Sequence, residues 1–164
     1  MEQKEIQYRA FTVQWNGPMR ALKTDAWIEY NGNQLKVVGL WDTGATSTCI
    51  SYDVVSKLNL VSTGKTRIQT PSGSKEVNTY LLDVILPNKV AIRDVPVLDS
   101  DIGAQGLGLL VGMDIIALGD FTVTNVERKT CFTFRIPSKQ KVDYVKQIAA
   151  SNTIGQKHGR GRRR

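Results

Sequence analysis

"LWDTGATSTCIS", Leu40 to Ser51, places one carboxylate at the end of an apolar run. Leu40 and Trp41 lead into Asp42, Thr43 and Gly44 follow, and a small, hydroxyl-rich, strand-like stretch comes next. A carboxylate in apolar surroundings is costly to keep ionised unless something compensates it. Asp-Thr-Gly alone suits an ordinary tight turn, because Asp bonds its own backbone and Gly accepts a positive φ. The context argues for more. Apolar sequence flanks the acid on both sides, and 70 residues beyond Asp42 "LLVGMDII" (Leu109 to Ile116) interrupts a buried strand at Gly112.

Outward from Asp42, turn signals separate many short strands. "YRAFTVQW" (8–15) alternates as a strand and is broken by Asn16-Gly17-Pro18. "AWIEY", Asn31-Gly32-Asn33 and "QLKVVGLW" read as a β-hairpin whose second arm runs into Asp42. Ser51 is placed to cap a helix over "YDVVSKLNL", with Asp53 in its first turn. "KTRIQT", "PSGS" and "KEVNTYLLDVILP" form a second, longer hairpin with a small polar tip. "KVAIRDVPVLD" is a strand pair or a bent strand, and "DIGAQGLG" is a glycine-rich loop. A buried strand then turns at Gly112 into a short helix stopped by Gly119, and "FTVTNVERKTCFTFRIP" closes as a terminal hairpin. The sum is an all-β chain of barrel or sandwich type with one or two short helices.

The 164 residues, 41% apolar and 23% charged, suit one globular domain. No apolar run is long enough for a membrane span. "MEQKEIQYRA" is charged and lacks an apolar h-region, so no signal peptide is expected. Cys49 and Cys131 make no disulfide framework, which points to a reducing, cytoplasmic setting. Cys49 reads as a small core residue and Trp41 as a core anchor.

The net charge of +7 belongs to one end. Residues 138–164 hold eight Lys/Arg against one Asp, whereas residues 1–137 balance fourteen against fourteen. A basic block can bind nucleic acid or an acidic surface, but the favoured reading is a solvated tail. The organisation expected is an N-terminal strand or extension (1–24), a main domain (25–137), a C-terminal helix (138–150) and a basic disordered tail (151–164). The one histidine, His158, lies in that tail. The body therefore has no Ser-His-Asp or Cys-His chemistry and no histidine-containing zinc site. It also has no GxxxxGK[ST] or GxGxxG loop. Carboxylates, lysines, hydroxyls and a thiol remain.

"WDTGATSTCIS" followed by "LLVGMDII" resembles the retropepsin-like aspartic proteases, the single-domain retroviral and bacterial class. The resemblance covers about residues 25–137, in the order hairpin, Asp-Thr-Gly-Ala, strand, hairpin, hydrophobic-hydrophobic-Gly and short helix. It implies a retropepsin-like acid protease barrel with one lobe per chain. Asp42 would be the catalytic aspartate, and Thr43, Gly44 and Ala45 the active-site loop. Leu110, Val111 and Gly112 would be the strand crossing behind that loop, and Asp114 a structural residue at the helix start. The second hairpin would be the flap, with Thr70, Pro71, Ser72, Gly73 and Ser74 at its substrate-facing tip. Tyr80 lies on its return arm, with its reach toward the cleft open.

The chain holds one Asp-Thr-Gly. Peptide hydrolysis of this kind needs two carboxylates sharing one proton, so a homodimer is expected, each chain giving its Asp42. The expectation is an aspartic endopeptidase acting on peptide or protein substrates, without metal or cofactor, with an acid-to-neutral optimum. The alternative is a catalytically inactive module of the same fold that dimerises or binds peptides.

Overall fold

A computed structural model describes residues 6–70 and 73–160, with backbone alone at Thr70 and at 153–160. Strand β1 (Arg9–Gln14) precedes a hairpin of β2 (Leu22–Tyr30) and β3 (Asn33–Trp41). Asn31 and Gly32 join the arms at φ 49° and 78°, the left-handed pair that a two-residue hairpin turn demands. After Asp42 come β4 (Cys49–Ser51) and helix α1 (Tyr52–Lys57). The Ser51 side chain caps this helix, accepting from the Val54 N–H.

The long hairpin of β5 (Gly64–Thr70) and β6 (Gly73–Ile85) follows, and then β7 (Ala91–Ser100). Strand β7 is a single bent strand, with Asp94 at φ 52° beside the register shift between Leu82 and Val84. The chain continues through β8 (Leu109–Val111), the short α2 (Met113–Ile116), the hairpin β9 (Asp120–Thr124) and β10 (Cys131–Ile136), and α3 (Tyr144–Arg160).

Seven strands form one sheet in the order β2-β3-β8-β4-β7-β6-β5. An additional β2–β6 pairing, Trp27 opposite Ile85 and Glu29 opposite Asp83, closes six of them into a barrel. Strand β5 stays outside the ring, paired to β6. At the closing seam two acids face each other, and Arg93 of β7 bonds both Glu29 and Asp83. Like charges opposite each other in a sheet are destabilising, so the guanidinium between them is what makes that register tolerable.

The barrel interior is aliphatic: Ile28, Ile50, Val84, Leu86, Val97, Leu109, Val111 and Ile115 are all buried. A second sheet, β1-β10-β9, packs an aromatic cluster onto Trp41. The rings of Phe11, Phe121, Phe132 and Phe134 lie 4.9 to 6.2 Å from the Trp41 ring, centroid to centroid. The indole N–H of Trp41 donates to Thr24 Oγ1 at 2.9 Å, so the buried indole leaves no polar atom unpaired. Trp41 is the core anchor expected, and it fixes the strand end that carries Asp42.

The C-terminal segment differs from expectation. The helix starts at Tyr144, not near 138, and runs through Arg160, past the 150/151 point where a disordered tail was expected. Residues 161–164 lie outside the described residues. The start is set by Asp143, whose carboxylate accepts the Lys146 N–H at 3.3 Å while its carbonyl accepts the Gln147 N–H. Ser138 lies ahead of the helix and donates its hydroxyl to Asp120 at 2.5 Å. Among the described residues no helix is long and apolar enough to cross a membrane. Cys49 and Cys131 are free thiols.

Candidate active site

The Asp42 loop is held by two strands that do not meet in sequence. Strand β8 lies parallel to β3, with Leu40 opposite Leu110 and Trp41 opposite Val111, and antiparallel to β4, with Cys49 opposite Leu110. It therefore runs between the strand entering the Asp42 loop and the strand leaving it. The Asp42 N–H donates to the Val111 carbonyl at 3.0 Å, and the Met113 N–H donates to the Ala45 carbonyl at 2.8 Å. Leu110, Val111 and Gly112 thus lie directly behind the loop.

Gly112 is where the two segments pass closest. A Cβ there would fall 2.6 Å from the Ser47 carbonyl carbon and 2.7 Å from its oxygen. Both are backbone atoms, so no side-chain rotation relieves the overlap. Its φ of –90° is ordinary, and the need for glycine here is one of space.

Within the loop, Asp42 is half-buried and Thr43 and Gly44 are exposed. The Gly44 N–H donates to Asp42 Oδ1 at 2.8 Å, and the Ala45 N–H donates to the Asp42 carbonyl at 3.2 Å. The carboxylate is thereby oriented by its own turn, with one oxygen satisfied. The acid sits at the surface end of the buried strand and not inside the barrel, which removes part of the cost its sequence context suggested.

A polar pair, the exposed Asp114 with a buried threonine that sequence reasoning did not single out, braces this arrangement. Thr48, fully buried, donates both its N–H (2.9 Å) and its hydroxyl (2.7 Å) to the Asp114 carboxylate. The same Thr48 oxygen accepts the Gly112 N–H at 3.1 Å. Asp114 also accepts the Ile115 N–H at 2.9 Å, at the first turn of α2. Asp114 is structural, as expected. Its partner could not be picked out from Thr46, Ser47 and Thr48, which are alike in sequence.

Cys49 follows directly, half-buried on β4. Burial, reinforced by the carboxylates of Asp114, Asp99 and Asp42, pushes its thiol up to about 11. It stays a neutral thiol, in keeping with a packing role.

The second hairpin forms as expected, with Thr70 paired to Gly73 at its end. Pro71 and Ser72 lie outside the described residues. Gly73 has φ 116°, which a side chain tolerates poorly, and Ser74 is exposed. The arm touches the body at α1, where Lys75 Nζ donates to the Tyr52 hydroxyl at 3.2 Å. Tyr80, whose reach was open, turns inward. It is buried, and its hydroxyl donates to Asp99 at 3.3 Å.

A small β-barrel with an Asp-Thr-Gly loop clasped by a strand passing through it has the retropepsin-like fold. The chain belongs to the aspartyl protease family, which residues 26–115, more than half its length, match. Among solved structures it is similar to a retropepsin-like aspartic protease from Rickettsia conorii. Identity is 14%, with 82% of this chain and 99% of that one covered, at a TM-score of 0.54. Two weaker likenesses are the simian foamy virus (mac) protease (24% identity, 57% and 89% covered, TM-score 0.40) and the retroviral protease-like domain of Ddi1 from Leishmania major (14%, 63% and 81%, 0.43). The fold comparison rests on the first. No curated protein matches the chain.

Proposed function

We propose that the protein is an aspartic endopeptidase whose active site is complete only when two chains meet, each giving its Asp42. The observation that carries this reading is the Asp42 loop. A half-buried carboxylate, one oxygen held by the Gly44 N–H, stands on a turn braced from behind by β8. Membership in the aspartyl protease family supports hydrolysis of peptide bonds as the reaction class.

The chemistry dictates the stoichiometry. One carboxylate takes a proton from water as the water oxygen attacks the peptide carbonyl carbon. The other gives a proton to the carbonyl oxygen. Two carboxylates roughly 3 Å apart cannot both be ionised, so the pair holds one proton between them and titrates as a unit. A chain with one Asp-Thr-Gly supplies half of this pair. A two-fold axis beside the exposed Thr43–Gly44 edge supplies the other half. From that edge each Thr43 hydroxyl would bond across to the second copy of the loop. The substrate would lie extended between the loop and the β5–β6 arm, held by main-chain hydrogen bonds, with residues 70–74 closing over it.

The test is Asp42→Asn beside wild type in a pepstatin-sensitive cleavage assay, with solution mass measured in parallel. Lost cleavage with an unchanged dimer supports the enzyme. A dimeric wild type that cleaves nothing across a broad peptide library at several pH values would make the chain a binding module instead.

A further inference from the structure

Beyond Thr79 the β5–β6 hairpin leaves the barrel. Strand β6 pairs with β7 as far as Thr79 opposite Leu98, and from there outward its ladder partner is β5. A two-stranded ribbon is marginal on its own, so its direction has to be set at its root. On the β5 side the root is tied by the Thr63 N–H to the Thr79 carbonyl at 2.8 Å and by the facing hydroxyls of the same two residues at 3.0 Å.

On the β6 side the next rung would join Asn78 to Asp99. At Asp99, however, β7 follows β4, with Ile50 opposite Asp99 and Ser51 opposite Ser100. The rung is made by a side chain instead. Asp99 Oδ1 accepts the Asn78 backbone N–H at 3.0 Å, and Asp99 Oδ2 accepts the Asn78 amide at 2.6 Å and the Tyr80 hydroxyl at 3.3 Å. The residue is 4% exposed, and all three partners are donors. A buried carboxylate with that set of partners on the departing strand is more than a core residue needs.

We propose that Asp99 is the positioning residue of the β5–β6 arm. Its carboxylate replaces the missing β6–β7 rung and sets the direction in which the arm leaves the barrel, and hence how the arm closes on substrate. The consequence for substrate rests on reading the arm as the flap of the proposed peptidase, whereas the mechanical role does not. Asp99 acts through Asn78 and Tyr80 and need not touch the peptide. Truncating it leaves two amide donors and a hydroxyl without their acceptor at the hinge.

The experiment is hydrogen–deuterium exchange of the full chain, wild type against Asp99→Ala, with steady-state kinetics on an extended peptide. Amides of 65–77 should exchange roughly tenfold faster or more in the variant, as loss of a hydrogen bond to a carboxylate predicts. Amides of β3 and β8 should keep their wild-type rates. KM should rise by a comparable factor with kcat little changed, the signature of lost uniform binding. Exchange unchanged in the arm, or raised equally in arm and barrel, overturns the proposal, as does an unchanged KM. If Asp99→Ala does not fold, Asn78→Ala, which removes only the amide donor, must show the same local rise. A wild type without cleavage would sink the peptidase reading, while the exchange pattern would still decide the role of Asp99.

Discussion

The Asp114 carboxylate accepts both the N–H and the hydroxyl of Thr48, at 2.9 and 2.7 Å, across 66 residues of sequence. This pair locks α2 to the strand leaving the Asp42 loop. Because the Thr48 oxygen also receives the Gly112 N–H, one hydroxyl ties together the three segments behind the candidate acid. Thr48→Val conserves shape and removes that hydroxyl. It leaves the Gly112 N–H without its acceptor and takes a donor from a carboxylate, a loss of about 3 kcal/mol. Urea unfolding should show a lower midpoint at unchanged slope.

Gly112→Ala tests the crossing itself. A methyl group 2.6 Å from the Ser47 carbonyl carbon must push two backbone segments apart. Overpacking of this kind typically costs about 1–3 kcal/mol, and a clash with backbone belongs at the upper end. Thermal unfolding should fall accordingly. If the enzyme reading holds, activity should fall further than stability does, because the displaced segment carries the Asp42 loop.

Several of these features are legible in the sequence because their physics is local. Asn31-Gly32 announces a turn, Ser51 a helix cap, and Asp42-Thr43-Gly44 a carboxylate oriented by its own backbone. What is not legible is pairing between distant residues. Nothing in Thr48 marks it apart from Thr46 and Ser47, and nothing in "VPVLDSD" says that Asp99 completes a ladder. The closure of β2 onto β6 depends on Arg93 lying between two acids that are far apart along the chain. The run of the C-terminal helix past residue 150 is not legible, because a polar, basic composition suits a solvated coil. Asp143, which starts the helix at Tyr144, is an ordinary charged residue in sequence.

The junction between the barrel and α3 should weaken in acid. The Asp120 carboxylate accepts from the Ser138 hydroxyl, the Lys139 N–H at 2.9 Å and the Arg135 guanidinium, and these hold it well below the usual carboxylate range. A carboxyl depressed in the folded state stabilises above its unfolded pKa of about 3.9 and loses that contribution as pH falls through the folded value. Asp120→Ala should therefore be less stable than wild type near neutral pH. The gap between the two should shrink as pH drops below about 4. Parallel thermal melts over that range check the sign.

Cys49 should resist alkylation while the protein is folded. Burial, with the nearby carboxylates, pushes its thiol up to about 11, so little thiolate is present at mildly alkaline pH. Iodoacetamide followed by peptide mass analysis should find Cys49 unmodified in native protein and modified in urea. Rapid native labelling would mean that the thiol is not screened as its surroundings imply.

The half-site claim is tested most directly by cleavage rate against enzyme concentration, followed down through the range where solution mass shows dimer giving way to single chains. Activity per chain should fall in proportion to concentration once single chains predominate, and pooled dilutions should regain it on reconcentration. Activity per chain that stays constant where only single chains remain would contradict the account, since one polypeptide would then be hydrolysing peptides with one Asp42.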